Sequence, residues 1–262
     1  MKKAVLLSVV VCASLSNAIA GVLVIEGKYQ DKNLYVQNGY AGNGVGFCTY
    51  EVTVNGQTST DEVNSSAFEI DFTAFQIKPG TPVVVEIKHK DDCTPKILNP
   101  EALKAKATFE IITINIDKKG ILNWTTKNEM GALPYVVEQF RWNKWIPVGE
   151  VQGTGNMDNN SYSFQTTAHS GENKFRVKQI GYGAVAKLSN NVTFVSTVAQ
   201  PTYTMGKGAN DIEFSNETMY EVYDAYGNII KRGFGKDLNI ANLTKGSYYL
   251  CYDNSMADFF KK

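Results

Sequence analysis

What most constrains this chain is its punctuation. Short runs of β-branched and aromatic residues recur along almost its whole length, each closed by Gly, Asn, Asp or Pro, and none leaves room for a long amphipathic helix. Val22–Ile25 and Leu34–Val36 come first. Tyr50–Val54 alternates strictly and runs into Asn55-Gly56, a strong two-residue hairpin signal. Phe68-Glu69-Ile70-Asp71-Phe72 alternates apolar with acidic, as a strand with one buried face must, and Val83–Ile87 follows. The best helical candidate, Pro100–Ala105, amounts to a turn or two. Strands at this spacing, separated by turn residues, predict an all-β chain of tandem β-sandwich modules.

A single sandwich needs about 100 residues, and this chain has 262. Two breaks suggest themselves, one near 104–108 after "LNPEALKAK" and one at Val198-Ala199-Gln200-Pro201. They divide the chain into modules at 21–106, 107–198 and 199–262. The middle module has the clearest logic. Leu122 and Trp124 share a face of one strand, Tyr135–Phe140 form the next, and Trp142-Asn143-Lys144-Trp145 turns into Ile146–Val151. Tyr162–Phe164 and Asn173–Gln179 complete the series. A tryptophan buried on an early strand suits an immunoglobulin- or fibronectin-like sandwich.

The first 20 residues read as an export signal: Lys2 and Lys3, the apolar stretch Ala4–Ala13, then small residues at Ala18 and Ala20. Cleavage is expected between Ala20 and Gly21. Cys12 lacks the small residue expected before a lipidated cysteine. The apolar stretch is too short to span a bilayer, which takes about 20 residues, and no other stretch predicts a transmembrane segment. Without Lys2 and Lys3, 24 basic residues face 26 acidic ones. That balance gives no reason to expect nucleic acid as a partner. In an oxidising compartment Cys48 and Cys93, which share a module, are the favoured disulfide, with Cys251 left over; the alternative is three separately buried thiols.

Motifs for chemistry are weak. The two histidines, His89 and His169, lie in no nucleophile elbow. "GNGVG" at 42–46 precedes a strand, whereas phosphate loops follow one. "HKDDC" at 89–93 has no spacing that completes a metal shell, and Asp61-Glu62 sits in a polar turn. The expectation is a non-enzymatic chain with no cofactor and no small-molecule substrate. Arg141, Trp142 and Trp145 in "FRWNKW" are candidate interface anchors, since Trp and Arg are enriched at binding hot spots. Ordinary cross-strand packing is the alternative. The polar loop 152–161 is a second candidate contact.

The end of the chain carries a family pattern. Val222-Tyr223-Asp224 precedes Gly227-Asn228 and Ile229-Ile230-Lys231; Leu238-Asn239-Ile240 leads to Leu243, Gly246 and Tyr248-Tyr249; Phe259-Phe260-Lys261-Lys262 closes. This order resembles the C-terminal sorting domain of type 9 secretion cargo, with Tyr223, Asp224, Gly227, Leu243, Gly246 and Tyr248 as its marks. The stretches around Trp124, "VEQF" and "RVKQIGY" resemble the fibronectin-type sandwich that commonly precedes such a domain. The first module is loosely similar to prealbumin-like sandwiches. Cargo of that family carries an effector ahead of the sorting domain, whereas here three small β modules account for the chain. The resemblance is therefore to the periplasmic plug subunits of the type 9 translocon. It implies a periplasmic, outer-membrane-associated subunit whose partners are the translocon barrel and its associated subunits. The alternative it implies is a small secreted or surface-attached cargo acting as an adhesin or binding module.

Overall fold

A computed structural model describes residues 21–42, 44–206, 208 and 210–262; the export signal, with Ala20, lies outside them. The described chain is all-β, built of tandem β-sandwich modules, and its only helical turns are two short 3-10 turns, Phe72–Phe75 and Pro100–Leu103. No helix among the described residues is long and apolar enough to cross a membrane.

Seven strands build the first sandwich: β1 (Val22–Lys28), β2 (Leu34–Gln37), β3 (Thr49–Val54), β4 (Gln57–Thr58), β5 (Ala67–Ile70), β6 (Pro82–His89) and β7 (Lys96–Ile97). They form two sheets, β1-β6-β3-β4 and β5-β2-β7. Alternation decides what is buried: Leu34, Val36, Val52, Val54, Phe68, Ile70, Val83, Val85 and Ile87 point inward. Asn55 and Gly56 both take positive φ, 50° and 79°, the geometry of a type I′ hairpin turn that only residues tolerant of the left-handed region adopt cheaply. Cys48 and Cys93 are joined by a disulfide with Cα atoms 5.8 Å apart, and Cys251 is a free, buried thiol.

The chain divides into two compact units. One comprises 21–26, 33–75 and 83–100. The other comprises 27–32, 76–82 and everything from 101 onward. Segments 27–32 and 76–82 thus belong with the later part of the chain, although by sequence position they fall inside the first module. Within that second unit Gln30 donates from Nε2 to the Met130 carbonyl at 2.6 Å, and Gly80 lies so close to the Gly155 carbonyl that a Cβ would sit 2.2 Å from it.

The second unit contains two separate cores. The first lies between the sheets β11-β10-β13, flanked by β14 and β15, and β12-β9-β8. Their strands are β8 (Glu110–Ile116), β9 (Ile121–Lys127), β10 (Pro134–Arg141), β11 (Lys144–Gln152), β12 (Asn160–Gln165), β13 (Gly171–Ile180), β14 (Ala186–Leu188) and β15 (Val192–Ser196). Trp124, fully buried, stacks on Tyr162 at 5.3 Å and meets Tyr135 edge-on at 5.7 Å, with Leu122, Val137, Phe175 and Val177 around them. Burying one such aromatic stabilises by about 2–3 kcal/mol. A buried carboxylate, Glu129, is held by Tyr135 Oη, Tyr162 Oη, Thr126 Oγ1 and the Gly155 amide. These bonds draw the 152–161 loop back onto the sandwich, so its ordered role is to satisfy Glu129.

The last core belongs to β16 (Tyr203–Met205), β17 (Asp211–Tyr223), β18 (Ile229–Asn239), β19 (Gly246–Tyr252) and β20 (Ser255–Lys261). They run in the order β16-β17-β19-β20, with β18 also paired to β17. Ile212, Phe214, Val222, Leu238, Ile240, Tyr248, Leu250 and Phe259 fill it.

Candidate functional site at the junction of the second and third modules

The six marks of the C-terminal pattern turn out to hold the fold. Tyr223 ends β17. Asp224 then organises the hairpin turn: its carboxylate accepts the Tyr226 and Asn228 amides, both at 2.9 Å, and Gly227 supplies φ 84°. The Asn228 side-chain amide donates to the same carboxylate at 2.9 Å, and that bond first, with the backbone amides behind it, holds the Asp224 carboxyl below its usual range. Leu243 packs on the core, Gly246 opens β19, and Tyr248 Oη donates to the Thr244 carbonyl at 2.8 Å, closing the loop before β19.

The candidate anchors at 141–145 divide. Trp142 and Asn143 form the two-residue turn between β10 and β11, with φ 49° and 59°. A left-handed tryptophan costs roughly 1–2 kcal/mol, so surrounding packing must hold it there. Trp145 is covered by the Arg176 guanidinium, 4.1 Å above its ring, and lies edge-on to Phe140 at 5.3 Å. It is a cross-strand packing residue rather than an exposed anchor. Arg141 is not exposed either: only 3% of it reaches solvent. It is an internal anchor between the second and third modules.

The bonds of Arg141 explain that position. Nε donates to Gln139 Oε1 at 2.7 Å, Nη1 to the Asp253 carbonyl at 3.2 Å, and Nη2 to the Thr167 carbonyl at 3.3 Å. Gln139 in turn donates to Asn173 Oδ1 at 2.7 Å. Burial pushes Arg141 down to about 10, and the nearby Asp253 charge works against that shift. Asp253 occupies the two-residue turn between β19 and β20, at φ 49°. Its carboxylate accepts the Ser170 amide at 3.1 Å and the Ser170 hydroxyl, while its own amide donates to Thr218 Oγ1 at 2.9 Å. A turn of the third module is therefore threaded into polar groups of the second, and each buried group finds a partner.

A second contact lies alongside. Lys144 Nζ donates to Glu221 Oε2 at 2.5 Å and to Tyr223 Oη at 2.6 Å, and Tyr223 Oη donates to the same carboxylate. Burial works to lower the Lys144 pKa, but the bonds to Glu221 and Tyr223 outweigh it and the pKa is raised. Glu221 is nearly buried, so the lysine neutralises a charge that would otherwise be costly.

Ser170, His169 and Asp253 lie together, yet they are not wired for acyl transfer. The serine hydroxyl donates to Asp253, and His169 Nδ1 lies 2.7 Å from the Ser170 backbone carbonyl. All three are buried. Nucleophilic catalysis needs the imidazole bonded to the hydroxyl and the aspartate behind the imidazole. The cavity beside Arg141 and Asp253, lined also by Thr218, Met219 and Phe234, holds about 30 Å³, room for a water or two. No cluster of three or more potential metal ligands occurs among the described residues.

No family model and no curated protein sequence matches the chain. Among solved structures, it is similar to a tetra-tandem repeat from the extending region of a large adhesion protein, at 10% identity and TM-score 0.32, covering 92% of this chain and 74% of that one. It is similar to the FN1–FN3 domains of chicken CNTN1, at 9% identity and TM-score 0.27, covering 93% and 98%. It is also similar to the fibronectin(III)-like modules of Clostridium thermocellum CbhA, at 9% identity and TM-score 0.22, covering 58% and 91%.

Proposed function

We propose that this chain is a non-enzymatic, plug-like or accessory subunit of the type 9 protein translocon, working at the periplasmic side of the outer membrane. Its partners on this reading are the translocon barrel and the subunits associated with it. The observation that carries the proposal is the way the sorting-domain-like module is held. A discarded address label needs a separable joint. Here the last module is bonded into the second through Arg141, Asp253 and Ser170, all buried. A retained module that resembles a sorting domain would occupy the site that cargo later takes, so cargo and plug would exclude each other by mass action. The bonding of Ser170, His169 and Asp253 supports the non-enzymatic reading.

The second reading is a small secreted or surface-attached cargo that acts as an adhesin or binding module. It is favoured by the exposed apolar side chains of the last module, Tyr226 at 91% exposure above all. Fractionation followed by mass spectrometry separates the two. The accessory reading expects peptides covering 233–262 in the periplasmic or outer-membrane fraction, co-purifying with a large barrel. Protein found outside the cell and ending near residue 200 sinks it and leaves cargo.

A further inference from the structure

One face of the last sheet carries a row of side chains running from the Lys144 contact to bare surface. Facing residues across β17, β19 and β20 are Tyr223, Tyr249 and Asp258 in one line, and Glu221, Cys251 and Met256 in the next; Ser247 faces Phe260 beyond them. Opposed residues on paired strands share a face, so these belong to one continuous surface. Its inner half is covered by the Trp142–Lys144 turn: the Lys144 ammonium bonds the Glu221 carboxylate and Tyr223 phenol and lies 5.3 Å from the Tyr223 ring centre. Its outer half is open. Tyr249 is 52% exposed, Met256 64% and Phe260 52%. The Asp258 carboxylate among them makes no hydrogen bond or ion pair with any described residue; only its backbone carbonyl is engaged, by Tyr203 Oη at 3.2 Å.

The open half repeats the chemistry of the covered half. Each presents a carboxylate and a tyrosine side by side on this face, Glu221 and Tyr223 two residues apart along β17, and Asp258 and Tyr249 opposite each other across β19 and β20. We propose that the surface formed by Tyr249, Met256, Asp258 and Phe260 is a docking site for a lysine- and aromatic-bearing β-turn of another protein. It binds that turn as the inner half binds this chain's own Lys144 turn. Continuity with the internal contact supplies the geometry and the unpaired carboxylate supplies the charge complementarity. Exposed Met and aromatic side chains supply apolar area. The site is defined by its own surface and holds whether or not the chain acts at the translocon.

The probe is a backbone-cyclised peptide of residues 139–146, Gln-Phe-Arg-Trp-Asn-Lys-Trp-Ile, titrated into the isotope-labelled full chain and followed by amide shifts. The expected result is saturable shifts in β19 and β20. Binding should weaken at least tenfold in Tyr249→Ala and in Asp258→Asn, and to the same degree when the peptide lysine is replaced by glutamine. Both residues are exposed, so an unchanged Tm verifies that these variants fold. Absence of shifts at millimolar peptide overturns the proposal. Shifts centred on Glu221 and Tyr223 also overturn it, because the peptide is then merely replacing the chain's own turn. Concentration-dependent self-association that disappears in Phe260→Ser overturns it too, by making a second copy the occupant.

Discussion

Asp253→Asn tests whether the last module is locked to the second. Asparagine keeps the size of the side chain and tolerates the left-handed φ of 49° at this position. It removes the charge that receives the Ser170 hydroxyl and amide and that offsets the Arg141 cation. A charge-assisted hydrogen bond contributes about 1.5–3 kcal/mol, and the amide oxygen retains one of the two acceptor functions. The guanidinium, 3% exposed, is left with neutral partners alone. The sum is a loss of about 2–4 kcal/mol, short of the roughly 3–5 kcal/mol for breaking a fully buried pair. All three tryptophans, Trp124, Trp142 and Trp145, lie in the second module. Tryptophan fluorescence in urea therefore follows that module, while far-UV circular dichroism follows the whole chain. The wild-type transitions should coincide and those of the variant should separate, with the third module unfolding first and thermolysin cutting sooner between 198 and 202. Adding Arg141→Met should restore part of the loss, since the stranded cation goes with it. Coincident transitions, a change under about 0.5 kcal/mol and unchanged proteolysis would refute the reasoning.

Three further outcomes follow from the same geometry. Burial lowers the His169 pKa, and the Arg141 charge adds to it; the folded state then binds fewer protons than the unfolded one, so stability is complete above the unfolded value of about 6.5 and is lost as pH falls below it. His169→Gln should flatten that slope below about pH 6.5 in urea titrations. Lys144→Ala leaves the nearly buried Glu221 without its cation, and since the lysine is itself partly exposed the loss should be about 1–2 kcal/mol. The Cys251 thiol, whose pKa burial holds up, should label faster in that variant with a thiol reagent. Reducing the Cys48–Cys93 bond, which spans 45 residues, should destabilise the first sandwich by about 4 kcal/mol on loop entropy, read as an earlier loss of far-UV circular dichroism in urea.

The C-terminal hairpin shows where sequence reading succeeds. Asp224 and Gly227 act locally, through bonds and backbone angles within five residues, and the alternation in β17 and β19 names their buried faces. The same holds for the Asn55-Gly56 turn and for Trp124 as a core residue. Period-two patterning and turn chemistry are properties of short windows, so the all-β class and most strands were open to inspection. The reading of Arg141 was not. Its burial depends on Asp253, 112 residues away, and no local pattern distinguishes an arginine exposed at a strand end from one enclosed by another module. The assignment of segments 27–32 and 76–82 to the second unit is of the same kind, because it rests on Gln30 reaching Met130 and Gly80 meeting Gly155. The loop at 152–161, polar in composition, is tied down because Glu129 needs its amide.

Read alone, the sequence specifies the all-β class, the alternation that fills each core and the chemistry of the tight turns. Tertiary structure alone decided that the last module is bonded into the second and that half of its sheet face is covered by the Lys144 turn while half stays open. The physical reason is range. Alternation and turns are fixed by interactions between near neighbours in the chain, whereas desolvation of an arginine or a glutamate is fixed by whatever the completed fold brings against it.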